Sequence, residues 1–165
     1  MTAASTRRLW SLIGVIVVVD QLTKHWALNR LSDGRTIDIV GSLRFNLAYN
    51  KGMAFSQATG AGPIIGALAF VIVIAVVLWM RRSATGVAAL ASSMIVGGAV
   101  GNLVDRLFRN DAWFRGAVVD FIDFQWFPVF NVADSCITVG AVLMVIASLR
   151  TNKSSNVVAQ GESDG

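Results

Sequence analysis

The chain has 165 residues, 55% of them hydrophobic and 15% charged, with a net charge of +4 and a mean hydropathy of +0.62. A soluble domain carries roughly a quarter charged residues, so the balance excludes an ordinary soluble fold and indicates one compact membrane unit. Scattered basic residues with no aromatic-lined stripe exclude nucleic-acid binding. The lone Cys136 excludes an internal disulfide, and the lone His25 leaves too few ligands for a zinc site, so no metal or cofactor is expected.

The first element in chain order is an apolar run over residues 9–28, clean through Val19, which then meets Asp20, Lys24 and His25. Arg7 and Arg8 before an apolar core would also suit a cleavable leader. The polar run Asp20-Gln21-Leu22-Thr23-Lys24 stands where small cleavage-site residues would be needed, so a retained span is expected. Residues 29–61 alternate in places, as in Thr36-Ile37-Asp38-Ile39-Val40 and Leu43-Arg44-Phe45-Asn46-Leu47, the pattern of short strands on a membrane surface. Residues 62–80 and 84–104 are charge-free, close to the about 20 apolar residues of a membrane helix. A second external segment covers 105–126. Residues 128–149 form the fourth span, interrupted only by Asp134, and the polar tail 151–165 is expected to be disordered.

The expected fold is therefore an all-α membrane protein in which residues 1–150 form a single domain of four transmembrane helices. With both termini cytoplasmic, Arg7, Arg8, Arg81, Arg82, Arg150 and Lys153 lie inside, in short and dense segments. The other eight lysines and arginines then lie outside, in longer segments that also carry aspartates.

An ionised group at the bilayer centre costs about 2.5–3.5 kcal/mol on insertion scales, so each one needs a reason. Alternating helix direction brings Asp20, Lys24, Asn102, Asp105, Arg106, Asp120, Asn131 and Asp134 to one layer near the outer face. Asp20 and Lys24 share a helix face and suit a structural ion pair, Asn102 faces with Asp105 and Arg106, and Asn131 faces with Asp134. Arg106 suits snorkelling or a pairing with Asp105. Trp113, Trp126 and Phe127 suit an interfacial belt, and Asp123 a solvated charge. Asp134, an acid within a span and without a basic sequence neighbour, is the functional candidate. Gly97-Gly98-Ala99-Val100-Gly101 allows close helix approach.

Five blocks now stand in order: Asp20-Gln21-Leu22-Thr23-Lys24, Asn50-Lys51-Gly52-Met53-Ala54-Phe55-Ser56, Gly101-Asn102-Leu103-Val104-Asp105-Arg106, Val118-Val119-Asp120-Phe121 and Phe130-Asn131-Val132-Ala133-Asp134-Ser135. They resemble the signature blocks of the lipoprotein signal peptidase (signal peptidase II) family, and the resemblance covers about residues 9–149. It implies a bacterial inner-membrane aspartyl peptidase that acts at the extracytoplasmic face. Such an enzyme removes the signal peptide of prolipoproteins before a diacylglyceryl-modified cysteine. It also implies Asp120 and Asp134 as the catalytic dyad, a small extracytoplasmic β-platform near 36–56, a short surface helix near 107–116, and inhibition by globomycin. Asp20, Lys24, Asn50, Gly52, Asn102, Asp105, Arg106 and Asn131 are the expected supporting or substrate-binding residues. The expected partners are the lipidated prolipoprotein and membrane lipids, with no nucleic acid, and the expected state is a monomer. The link between the two aspartates is shorter than expected for many members, so residues 125–128 are expected to shape the substrate entrance.

Two nearby carboxyls resist joint ionisation and share a proton. One then serves as base toward water and the other as acid toward the scissile carbonyl. The alternative is a small ion- or proton-coupled transport protein, which predicts polar groups spread through the membrane depth rather than gathered at one side. A structural subunit would instead turn its polar patch toward a partner. A Ser-Lys peptidase built on Ser56 and Lys51 lacks a setting that would depress the lysine pKa.

Overall fold

The computed structural model describes residues 3–51, 62–83, 86–109 and 116–163. Among them the elements are α1 Ala3–Leu31, β1 Ile37–Val40, β2 Leu43–Asn50, α2 Gly62–Ser83, α3 Gly86–Phe108, β3 Val118–Asp123 and α4 Val132–Ser163. The long apolar runs become helices because hydrocarbon offers the backbone no partners, and a helix satisfies them internally. Ser5–Leu31, Gly86–Phe108 and Val132–Arg150 are long and apolar enough to cross a membrane. α2 spans 22 residues, but its apolar stretch, Gly66–Met80, is shorter than the others.

Side-chain exposure is inverted relative to a soluble bundle. On α4, Val139, Val142, Val145 and Leu149 form an exposed stripe at helical spacing, a face suited to lipid. The most enclosed helix is α3, which packs against α1, α2 and α4 and buries mainly small residues. Its buried Ser92 and Ser93 donate back to the carbonyls of Ala88 (2.7 Å) and Ala89 (2.9 Å), so neither hydroxyl is stranded. Gly101 explains the closeness of α1: a Cβ there would lie 2.6 Å from Asp20 Oδ2.

The strands form an antiparallel sheet in the order β1-β2-β3. Its register places Ala48 opposite Asp120 and Asn50 opposite Val118. Asn50 and Asp120 are therefore diagonal neighbours on one face. Trp26, near the end of α1, packs edge-on against Phe45 (5.1 Å between ring centres) and Phe121 (6.2 Å). Ala27, Leu31 and Phe121 are buried at the same junction, which fixes the sheet to that end of the bundle.

Several expectations change. The sheet gains β3 from beyond α3, where Val118-Val119-Asp120-Phe121-Ile122-Asp123 is rich in β-branched and aromatic residues. α4 begins at Val132, later than the expected 128, because Phe130 is still paired with Ile122. Asp134 consequently lies in the first helical turn rather than well inside a span. Residues 151–163 continue α4 where a disordered tail was expected; they contain no proline to interrupt the backbone ladder. α1 extends over 3–31 against the expected 9–28, and α3 over 86–108 against 84–104. Asp123 is 4% exposed, not a solvated charge; it accepts from Arg44 Nε (2.8 Å), Asn46 Nδ2 (3.1 Å) and Gln125 N (2.6 Å). Gly52, Trp113 and most of the expected surface helix lie outside the described residues.

Candidate active site

The polar residues gather where α1, α3 and α4 meet the sheet. Each arrives by a local rule. Asp20 and Lys24 are one turn apart on α1; Asn102, Asp105 and Arg109 fall near one face at the end of α3; Asp120 lies on β3; and Asn131 and Asp134 open α4.

Asn131 is the N-cap of α4. Its Oδ1 accepts from Asp134 N (2.9 Å), and its own N–H donates to Asp134 Oδ2 (3.2 Å). This reciprocal pair is a capping box with asparagine and aspartate in the two capping positions. Asn131 Nδ2 remains free to turn away from the helix, donating to Asp120 Oδ1 (2.6 Å) and Asn102 Oδ1 (3.1 Å). Asn102 Nδ2 donates to the other oxygen of Asp134, Oδ1, at 2.8 Å. Two neutral amides thus link the two carboxyls without adding charge.

Asp120 and Asp134 open onto one cavity of about 500 Å³. Asn50 and Ser135 add polar atoms, and Phe127, Pro128, Val129, Phe130 and Val139 supply an apolar wall. Asp120 is 3% exposed. Burial first, and then the nearby negative charge of Asp134, push its carboxyl up to about 7, against hydrogen bonds from Asn131 and Asn50. Above the wall, Phe124, Trp126, Phe127 and Phe130 form a chain of ring contacts, with Trp126 75% exposed.

Behind the asparagines lies a buried charge cluster. Lys24 bridges Asp20 (2.8 Å) and Asp105 (2.9 Å), and all three side chains have no exposure. Asp105 pairs with Arg109 (2.5 Å) rather than with its neighbour Arg106. Gln21 Nε2 donates to Asp20 Oδ2 (3.2 Å) and Asp105 Oδ1 (3.2 Å). Arg109 and Gln21 were not singled out from sequence, although i,i+4 spacing from Asp105 was a usable signal for the arginine. Arg106 is 7% exposed; among the described residues its Nη1 has no hydrogen-bond partner. Of the expected residues, Asp20, Lys24, Asn50, Asn102, Asp105, Asp120, Asn131 and Asp134 therefore belong to one connected region, and Gly52 falls outside the described chain. Among the described residues, no group of three or more His, Cys, Asp or Glu side chains is arranged to hold a metal ion.

Such an arrangement brings two carboxyls to one cavity beside an apolar wall. The family model described as signal peptidase (SPase) II matches residues 12–150. A lipoprotein signal peptidase of Mycobacterium leprae is 44% identical over 145 residues, covering 87% of this chain and 72% of its own length. One of Mycobacterium tuberculosis is 44% identical over 151 residues, covering 88% of this chain and 74% of its own, and one of Rhodococcus jostii is 42% identical over 142 residues, covering 86% and 72%. Two solved structures, each described as a bacterial membrane enzyme, superpose with TM-scores of 0.78 and 0.75 at 28% and 29% identity. The first covers 89% of this chain and 90% of its own, the second 86% and 92%.

Proposed function

The chain belongs to the signal peptidase II family, and from that premise we propose that it removes the signal peptide of diacylglyceryl-modified prolipoproteins through water activated between Asp120 and Asp134. It is a membrane protease. The observation that carries the dyad reading is the shared cavity: both carboxyls line it, joined from behind by Asn131 and Asn102.

The order of roles follows from the surroundings. Asp120 is the acid, because burial and the charge of Asp134 hold its carboxyl near 7. Asp134 is the base: it accepts from Asn102 Nδ2 and Asn131 N at the start of a helix, a setting suited to a carboxylate. As water attacks the scissile carbonyl, Asp134 takes its proton and Asp120 gives its own to the carbonyl oxygen. On collapse, Asp134 passes its proton to the leaving amine and Asp120 recovers one from the tetrahedral diol. The sum is one water across one peptide bond. Asn50, which lines the cavity, and Arg106, whose charge lies within reach of both carboxyls, suit the binding of substrate carbonyls.

The apolar wall and the exposed aromatic chain suit a substrate whose acyl chains stay in lipid while one bond meets water. We place the site at the extracytoplasmic face of a bacterial inner membrane, with cytoplasmic termini, a monomeric state and sensitivity to globomycin. The transport reading suffers from the gathering of buried charge at one end of the bundle, where a pathway needs polar groups through the full depth.

The test is hydrolysis of a lipid-modified prolipoprotein by the purified protein, with and without a chelator. Asp120→Asn and Asp134→Asn should each lose roughly 10²–10⁴-fold or more in kcat while still inserting, and the chelator should change nothing. Robust turnover by either variant sinks the dyad.

A further inference from the structure

Lys24 has no solvent exposure, and its ammonium makes three contacts: Asp20 Oδ2 (2.8 Å), Asp105 Oδ2 (2.9 Å) and Asn102 Oδ1 (2.9 Å). An ammonium has three protons and no lone pair, so all of its donors are committed. Neither carboxylate depends on Lys24 alone. Asp105 also accepts from Arg109 Nε (2.5 Å), Gln21 Nε2 (3.2 Å) and Val119 N (3.2 Å). Asp20 also accepts from Ala133 N (3.0 Å) and Gln21 Nε2 (3.2 Å).

The third contact is different in kind. An amide side chain can present either its oxygen or its nitrogen, and a partner that only donates settles which. Facing Lys24, and with Asn131 Nδ2 as a second donor at 3.1 Å, Asn102 must present oxygen. Its nitrogen must then point the other way, and there it meets Asp134 Oδ1 at 2.8 Å. Were the amide reversed, two oxygens would face each other across the site, and Lys24 would point at an NH₂ group.

We infer that Lys24 is a positioning residue of the hydrolytic site: as the closer of the two donors that fix the Asn102 amide, it holds a hydrogen-bond donor on Asp134, although it touches neither substrate nor dyad. This rests on the reading of Asp120 and Asp134 as the hydrolytic pair. The side chain does more than neutralise two buried acids, since without the ammonium only the longer contact from Asn131 Nδ2 (3.1 Å) would hold the Asn102 oxygen in place.

The experiment measures kcat and KM of the full chain on a synthetic prolipoprotein peptide carrying a diacylglyceryl cysteine. Lys24→Met should lower kcat by roughly 10–100-fold, in the range of a lost charge-stabilising donor, and leave KM within about twofold. In an Asn102→Ala background the same substitution should cost nothing further, because residues acting as a unit do not multiply their losses. Near-normal kcat in Lys24→Met, or losses that multiply in the double variant, overturns the inference. Should Lys24→Met fail to insert, Lys24→Met/Asp20→Asn is compared with Asp20→Asn, which removes an acid together with the ammonium; the same kcat fall and the same non-additivity with Asn102→Ala are required. An active parent enzyme with multiplying losses overturns this inference alone, whereas an inactive parent overturns the hydrolytic reading and this one with it.

Discussion

Asn131 and Asp134 cap the same helix for each other, side chain to backbone in both directions, at 2.9 and 3.2 Å. One structural motif therefore orients the carboxyl of Asp134, and the amide that completes it also holds Asp120 at 2.6 Å. The cap and the site are the same set of atoms.

Asn131→Ala should therefore damage stability and turnover together. Loss of the cap costs about 1–2 kcal/mol, and the freed Asp120 and Asp134 should lower kcat by roughly 10²-fold or more. Thermal unfolding in detergent and peptide hydrolysis measure the two effects. Full activity in a destabilised Asn131→Ala protein would separate the cap from the chemistry.

Turnover should fall as pH rises through about 7, the value to which burial and Asp134 push the Asp120 carboxyl. The sign follows from its role. In the proposed mechanism Asp120 acts protonated, its protonated form dominates below that value, and ionisation removes the acid. Because the two carboxyls are coupled, the measured value belongs to the pair. A kcat–pH profile that rises steadily from 6 to 9 would reverse the assigned roles.

Gly101→Ala tests the approach of α1 and α3. Alanine is the better helix former by about 1 kcal/mol, so propensity alone predicts a gain. The new Cβ would instead sit 2.6 Å from Asp20 Oδ2, in a carboxylate that Lys24 holds by that oxygen and Ala133 N by the other. Disturbing a buried ion pair costs about 3 kcal/mol or more, so the variant should unfold earlier and hydrolyse more slowly. A raised melting temperature would show that Asp20 moves aside freely.

Asp123→Ala addresses the sheet. Burial disfavours the Asp123 carboxylate, but hydrogen bonds from Arg44, Gln125 N and Asn46 prevail and hold its pKa below the ordinary value. A depressed carboxyl contributes stability that is present above the unfolded value near 4 and is lost as pH falls through the folded one. The alanine variant should be less stable by about 1–2 kcal/mol at neutral pH. The difference should shrink below about pH 4. Equal melting temperatures at pH 7 would remove Asp123 from the account of the sheet.

Much of this was legible in residue order. Apolar runs gave the helices, and alternating direction brought Asp20, Asn102, Asp120 and Asp134 to one end, because both follow from hydropathy and helix rise. What hydropathy does not encode is pairing across the chain. β3 falls within the external segment expected over 105–126, and only its ladder with β2 makes it a strand. The same ladder buries Asp123, which looked like a surface charge. Asp105 has an arginine on each side of the choice, Arg106 and Arg109, and only the helix face decides for Arg109. The Asn131–Asp134 cap has a visible cue, an N-x-x-D before an apolar run, but spacing alone says only that the two residues share a face.

Because α4 follows the other described helices in chain order, with Asn131 as its cap and Asp134 in its first turn, those elements are synthesised before the proposed hydrolytic pair is complete. The nascent chain carries Asp20, Lys24, Asn102 and Asp120 with nothing to oppose Asp120. On the proposed reading, synthesis itself acts as a safety catch: a product interrupted before Phe130 carries Asp120 without Asp134 and should leave lipidated precursors untouched.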